Sequence, residues 1–258
     1  MEMEIDLKAI QGELLSMMKD IHKLCAAEGV AYSLTGGSLL GAVREGGFIP
    51  WDDDMDIMVD RENYRRLCDA VKKCPDYEMG RGPWLPHIRP VSYSSEIEPY
   101  IDVFVLDHLP DSPVQARIKI LLLRLLQGML KEQVEYKGFS AGYKVCIFIT
   151  NMLGKLFTRR FKLKVYDCIS QIGNSKATQY VSITNDSFSL LKMKHRAELM
   201  DAFEECAFED TSLMITKRSR EYLALRYGAD YMTPPPAAER IAGQHADRPH
   251  VKNERIGV

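Results

Sequence analysis

At 258 residues, with 46% hydrophobic and 27% charged side chains and a formal net charge of −2, the chain has the composition of an ordinary globular protein. Disordered, collagen-like and low-complexity classes are excluded, and a chain this long can bury a core without disulfide staples. The small net charge conceals two opposed regions: residues 1–60 hold twelve Asp and Glu against four Lys and Arg, a balance of −8, whereas residues 115–164 hold eleven Lys and Arg against two Glu, a balance of +9.

The six cysteines (Cys25, Cys68, Cys74, Cys146, Cys168 and Cys206) form no C-x-x-C pair and no zinc-ligand cluster. The acidic start, MEMEIDLKAI, fits neither a signal nor a transit peptide, so the cysteines read as reduced thiols of a cytosolic protein. In chain order, apolar residues from Ile10 to Cys25 recur at helical spacing and predict an amphipathic helix over 4–28, stopped by Gly29. Val30–Thr35 reads as a short strand entering a tight Gly36-Gly37 turn, and Ser38 as the cap of a short helix through Val43. After a Gly46-Gly47 loop, Met55, Ile57 and Val59 alternate as a strand, and residues 61–74 return to helical periodicity.

Residues 79–90, rich in Gly, Pro and Trp, read as a loop before a second strand, Tyr100–Leu106, interrupted by Asp102. Strands alternating with helices argue for an α/β or α+β core over the first 110 residues. Residues 114–131 and 144–164 are apolar and basic and predict two or three helices, but Arg124 and Lys155 interrupt them well short of the ~20 apolar residues of a membrane span. Residues 166–231 read as mixed, closing in a helix through Tyr222–Tyr227, before a Pro-rich tail.

The chemistry concentrates in Trp51-Asp52-Asp53-Asp54-Met55-Asp56. On an extended strand Asp54 and Asp56 project from one face, joined by Asp52 if the extension begins early. Like charges so close raise each other's pKa, and a hard divalent cation with oxygen ligands is the natural compensation. An EF-hand fails, because Ile57 stands where its Gly is needed and Asn63 where its Glu is needed. Three readings survive: a solvent-facing acidic strand end, a D-x-D glycosyltransferase metal site, and a nucleotidyltransferase-type site. The last requires a Gly-Gly or Gly-Ser turn upstream and a third carboxylate on a neighbouring strand. Gly36, Gly37 and Ser38 supply the turn, which lets backbone N–H groups approach a phosphate, and Asp102 supplies the carboxylate.

The run GGSLLGAVREGGFIPWDDDMDI (36–57) closely resembles the signature of the LicD family of phosphotransferases. YIDVFVLD (100–107) resembles that family's second acidic strand, and LRYGADYMTPPPAAER followed by His245 resembles its C-terminal block. The resemblance implies an α+β, nucleotidyltransferase-like fold: a mixed sheet with flanking helices and a helical insertion. It divides the chain into a catalytic core (1–110), a basic helical region (111–200) and a C-terminal block packing on the core (201–258). The implied activity is transfer of a substituted phosphate, such as phosphocholine, from a CDP-linked donor to a glycan or lipid-linked glycan acceptor. Asp54 and Asp56, with Asp102 and Asp52, would hold Mg²⁺ or Mn²⁺. Asp102 would take the acceptor's proton, Arg44 would clamp a phosphate, and Gly36, Gly37, Ser38, Trp51 and His245 would contact the donor.

A D-x-D glycosyltransferase and an inactive metal-binding scaffold are the alternatives. Residues 115–164 fit either a helix pair resting on an anionic membrane, at the inner face of the cell membrane, or a helical subdomain with an ordinary basic face. No nucleic-acid-binding motif is present, so none is expected as a partner.

Overall fold

The computed structural model describes residues 6–93, 98–131 and 141–240, without the side chains of residues 141–144, 146, 147 and 239. The fold is α+β. The chain divides into two compact units, one built from residues up to Gly82 with Pro86–Val105 and the residues from Glu198 on, the other from Pro83–Leu85 and Leu106–Ala197. No helix among the described residues is long and apolar enough to cross a membrane.

In the first unit, α1 (Leu7–Glu28) buries Leu14, Met17, Met18, Ile21 and Cys25 along one face and ends at Gly29, which adopts the left-handed conformation (φ 65°) expected of a helix stop. Burial pushes the Cys25 thiol up to about 12, so it packs as a small apolar group. The strand expected over Val30–Thr35 shrinks to β1 (Ser33–Leu34). Its leading residues bond elsewhere: Val30 N donates to the Cys25 carbonyl and Ala31 N to Oδ1 of Asn63.

The next helix, α2 (Gly36–Arg44), begins two residues before Ser38 and has Thr35 as its N-cap. The capping role expected of Ser38 is therefore corrected. Ser38 lies inside the first turn, and its Oγ accepts a 2.8 Å hydrogen bond from the Asp56 amide instead.

Strand β2 (Met55–Asp60) runs into α3 (Arg61–Lys73), whose N-cap, Asp60, accepts from the Asn63 amide at 2.7 Å. Residues 79–90 are not a loop. They fall largely within a hairpin of β3 (Tyr77–Arg81) and β4 (Pro86–Pro90), paired from Tyr77↔Pro90 to Arg81↔Pro86. The prolines that suggested a loop occupy the two ends of β4, where a missing N–H disturbs the ladder least. The sheet runs in the order β1-β2-β5-β4-β3, with β5 (Ile101–His108) beside β2. The unit closes with the hairpin β8 (Phe203–Phe208) and β9 (Thr211–Thr216) and with α7 (Ser219–Tyr227).

Among the described residues the second unit holds three helices, α4 (Pro113–Leu130), α5 (Ala141–Gly154) and α6 (Arg159–Ser170). It also holds β6 (Tyr180–Ile183) and β7 (His195–Arg196), and β6 pairs antiparallel with the last residues of β5, Leu106–His108. Leu109, Ala116, Leu123, Leu126, Tyr166 and Leu191 form its core.

Candidate active site

The site lies where β2 and β5 run side by side. Both are central strands, and from Met55 to Val59 every residue of β2 is buried. The alternation legible in the sequence therefore does not mark a wet face. It marks Asp56, only 7% exposed, on an otherwise apolar strand. Asp102, 8% exposed, is one of two buried carboxylates on β5 and pairs with His87 of β4; the other, Asp107, accepts hydrogen bonds from Asn174 and Thr184.

Burial pushes the Asp56 carboxyl well above the usual carboxylate range. The negative charges of Asp54, Asp102 and Asp52, in that order, push it further, and the Arg226 guanidinium pulls it partly back. Three of the carboxylates named from the sequence thus act on the fourth, Asp56.

The Gly-Gly turn is shaped around these carboxylates. At Gly36 (φ 57°) the place a β-carbon would occupy is taken by Oδ2 of Asp56, and at Gly37 by Oδ2 of Asp52. Any larger residue at either position would overlap a carboxylate, and Gly36 also needs left-handed freedom. The two acids therefore sit against the N-terminal turn of α2, the positive end of its dipole.

Around this turn, Thr35 N donates to the Asp56 carbonyl at 3.1 Å, and the Thr35 and Tyr222 hydroxyls bond at 2.6 Å. Gln11, from α1, steadies the approach to the acidic run: its Nε2 donates to the carbonyls of Ile49 (3.2 Å) and Asp52 (2.8 Å).

The remaining expected residues are placed differently. Arg44 closes α2 with its side chain 6% exposed, its Nε on Glu45 at 2.7 Å and its Nη1 on the Tyr231 carbonyl at 3.3 Å. It joins α2 to the C-terminal block, while the cation acting on Asp56 is Arg226. Trp51 is half-buried, and the Arg240 guanidinium lies 5.0 Å from its ring centroid, a cation–π geometry. His245 lies outside the described residues.

Reading residues one by one missed Arg226 and Tyr222. Both lie on α7, and Arg226 falls within the LRYG motif, which is their signal in the sequence.

Among the described residues no group of three or more His, Cys, Asp or Glu side chains stands ready to enclose a metal ion. The donor set nevertheless has the right chemistry. Carboxylate oxygens suit Mg²⁺ or Mn²⁺, and Mg²⁺ is commonly held by one or two carboxylates plus substrate phosphates, without an all-protein cage. The mutual repulsion at Asp56 is what such a cation relieves.

Residues 29–106, which contain the turn and both acidic strands, match the family model described as LicD/FKTN/FKRP, nucleotidyltransferase domain. The chain carries a LicD-family domain. It is 42% identical over 67 residues to the lipopolysaccharide cholinephosphotransferase LicD of Haemophilus influenzae, covering 26% of this chain and 25% of that protein. Uncharacterized proteins of Rickettsia prowazekii (46% over 66 residues, 26% and 24% of the two chains) and Rickettsia typhi (46% over 50 residues, 19% and 16%) are also similar. The chain thus spans a quarter or less of the length of these relatives. In the LicD frame, Gly36, Gly37, Asp54, Asp56 and Asp102 all fall inside the matched segment, while Arg226 and Arg240 fall outside it.

Proposed function

We propose that the protein is a phosphotransferase that moves a substituted phosphate, with phosphocholine the leading candidate, from a CDP-linked donor to a sugar hydroxyl of a cell-surface glycan or its lipid-linked precursor. The observation that carries the reading is the gathering of Asp52, Asp54, Asp56 and Asp102 near a Gly-Gly helix start, within residues 29–106 that match the LicD/FKTN/FKRP nucleotidyltransferase model, in a chain similar over 67 residues to a lipopolysaccharide cholinephosphotransferase.

Asp54 and Asp56, flanked by Asp102 and Asp52, would hold Mg²⁺ or Mn²⁺, which when bound supplies charge neutralisation at the donor's pyrophosphate. The protein's own groups do the rest. Asp102 accepts the proton of the acceptor hydroxyl as the new oxygen–phosphorus bond forms and the bond to the departing CMP breaks. Arg226, the cation already turned on the carboxylates, holds a phosphate oxygen of the donor. The α2 N-terminus and the Gly36-Gly37 turn fix the positions of Asp56 and Asp52, and Ser38 holds the Asp56 backbone. Trp51, under Arg240, offers a flat surface beside the acidic run for the donor's base or sugar.

Calorimetric titration with CDP-choline, CDP-ribitol, CDP-glycerol and UDP-sugars in Mg²⁺ tests the reading. Binding of a CDP-linked compound, followed by its transfer to a lipopolysaccharide or teichoic acid sugar, is expected. Selective binding of UDP-sugars would instead make the protein a glycosyltransferase, and failure of every nucleotide to bind would make it a non-catalytic scaffold.

A further inference from the structure

In the second unit, α4 and α5 present apolar residues outward, and α4 also buries polar residues within its apolar inner face. Lys119 and Gln127 of α4 are each 1% exposed, whereas Val114, Ile118, Leu121 and Leu125 are 40–67% exposed. Those four apolar residues follow i, i+4, i+7, i+11 spacing and form one outward stripe. The orientation is held by specific bonds. Lys119 Nζ donates to the carbonyls of His108 (2.7 Å) and Ile172 (2.9 Å), and Gln127 Nε2 to Tyr166 Oη (3.0 Å) and the Asp186 carbonyl (2.7 Å). Turning the stripe inward would break all four.

α5 repeats the arrangement. Thr150 is buried and Asn151 Nδ2 donates to the Lys131 carbonyl at 2.6 Å, while Val145, Phe148, Ile149 and Met152 are exposed. The two helices approach closely through small residues. A β-carbon on Gly128 would lie 2.6 Å from Thr150 Oγ1, and one on Gly154 would meet the Met129 carbonyl. Small residues between helices with apolar residues outside is the arrangement of helices packed in lipid. Beyond α5, Leu156 is 75% exposed, and Phe157 and Phe161 stack at 5.4 Å.

We propose that this face docks the protein on an anionic lipid surface, the stripes of α4 and α5 lying in the interface with Leu156 and Phe157 as wedges. Charge complementarity selects this occupant. Arg117, Lys155, Arg160 and Lys164 are exposed around the apolar residues, and neither 113–131 nor 141–166 contains an Asp or Glu. Such a face attracts phosphate headgroups and repels a second copy of itself. Three cations within α4 exclude spanning, so the helices lie along the surface with basic side chains reaching the headgroups.

The test is flotation of the full chain with vesicles of phosphatidylcholine alone and of phosphatidylcholine mixed with phosphatidylglycerol, without donor or acceptor, so that it is independent of the transfer reading. Binding to the mixed vesicles that weakens as salt rises is expected. Arg160→Ala with Lys164→Ala should lower partitioning roughly thirtyfold, and Leu121→Ser with Leu156→Ser by about tenfold or more, with unchanged circular dichroism. Absence of flotation at low salt overturns the proposal, as does equal binding to both vesicle types by wild type and variants. A lipid-free dimer that Leu121→Ser dissociates would give the face to a second copy and overturn it equally.

Discussion

The two units break the same rule in opposite senses. In the first, carboxylates are buried: Asp56 and Asp102 occupy central strands where an apolar residue would pack at no electrostatic cost. In the second, leucines and phenylalanines face water while a lysine and a glutamine fill helix positions turned to the core. The two departures have different structural signatures. The buried donors of α4, Lys119 Nζ and Gln127 Nε2, are matched by hydrogen bonds, so the anomaly of that region lies mainly outside, on its surface. The carboxylates of β2 and β5 repel one another, so that anomaly lies inside. A misfit in the core points to a small ligand bound there, and a misfit on the surface points to a larger partner covering it.

The largest expected effect tests the first half of this contrast. Asp56→Asn removes a carboxylate that its neighbours disfavour, so the melting temperature should hold or rise, while transfer from CDP-choline falls at least ~10²-fold. A variant that loses stability and keeps its rate would make Asp56 a structural acid.

Next in size is Leu123→Ala on the buried face of α4, expected to cost about 2–5 kcal/mol in urea unfolding. Gly36→Ala follows at about 1–3 kcal/mol, because alanine is strained at φ 57° and its methyl overlaps the Asp56 carboxylate. Its transfer rate should fall as well, since the displaced group is the proposed metal ligand. A Gly36→Ala protein of unchanged stability would mean that the turn is not packed around the acid.

The sequence made the site more legible than the sheet around it. Asp54, Asp56 and Asp102 stood out because charge on an apolar strand is costly, and the cost is visible without coordinates. Arg226 did not stand out, since a lone arginine in the last turn of a helix is ordinary until the fold sets it beside Asp56. Ser38 was misread as a cap because a serine after Gly-Gly fits that pattern; its hydroxyl instead meets an amide 18 residues away. The β3–β4 hairpin was hidden because Gly and Pro mark loops locally, and only the partner strand shows that the prolines stand at its ends. The helices of the second unit were visible from composition. Their outward apolar stripe was not, because a helix apolar on two faces does not report from its periodicity which of them is turned inward.

The smallest expected effect isolates that outward stripe. Leu121 and Leu123 are two residues apart on α4, of the same type and with the same helix propensity, yet one is 67% exposed and the other 0%. If the orientation of α4 is as described, Leu121→Ala should change the unfolding midpoint by no more than about 0.5 kcal/mol, against several for Leu123→Ala. The pair of substitutions cancels propensity, charge and position along the helix, leaving only the face as the difference. Equal costs at the two positions would mean that the outward stripe is covered in the free protein, and the surface anomaly that separates the second unit from the first would disappear.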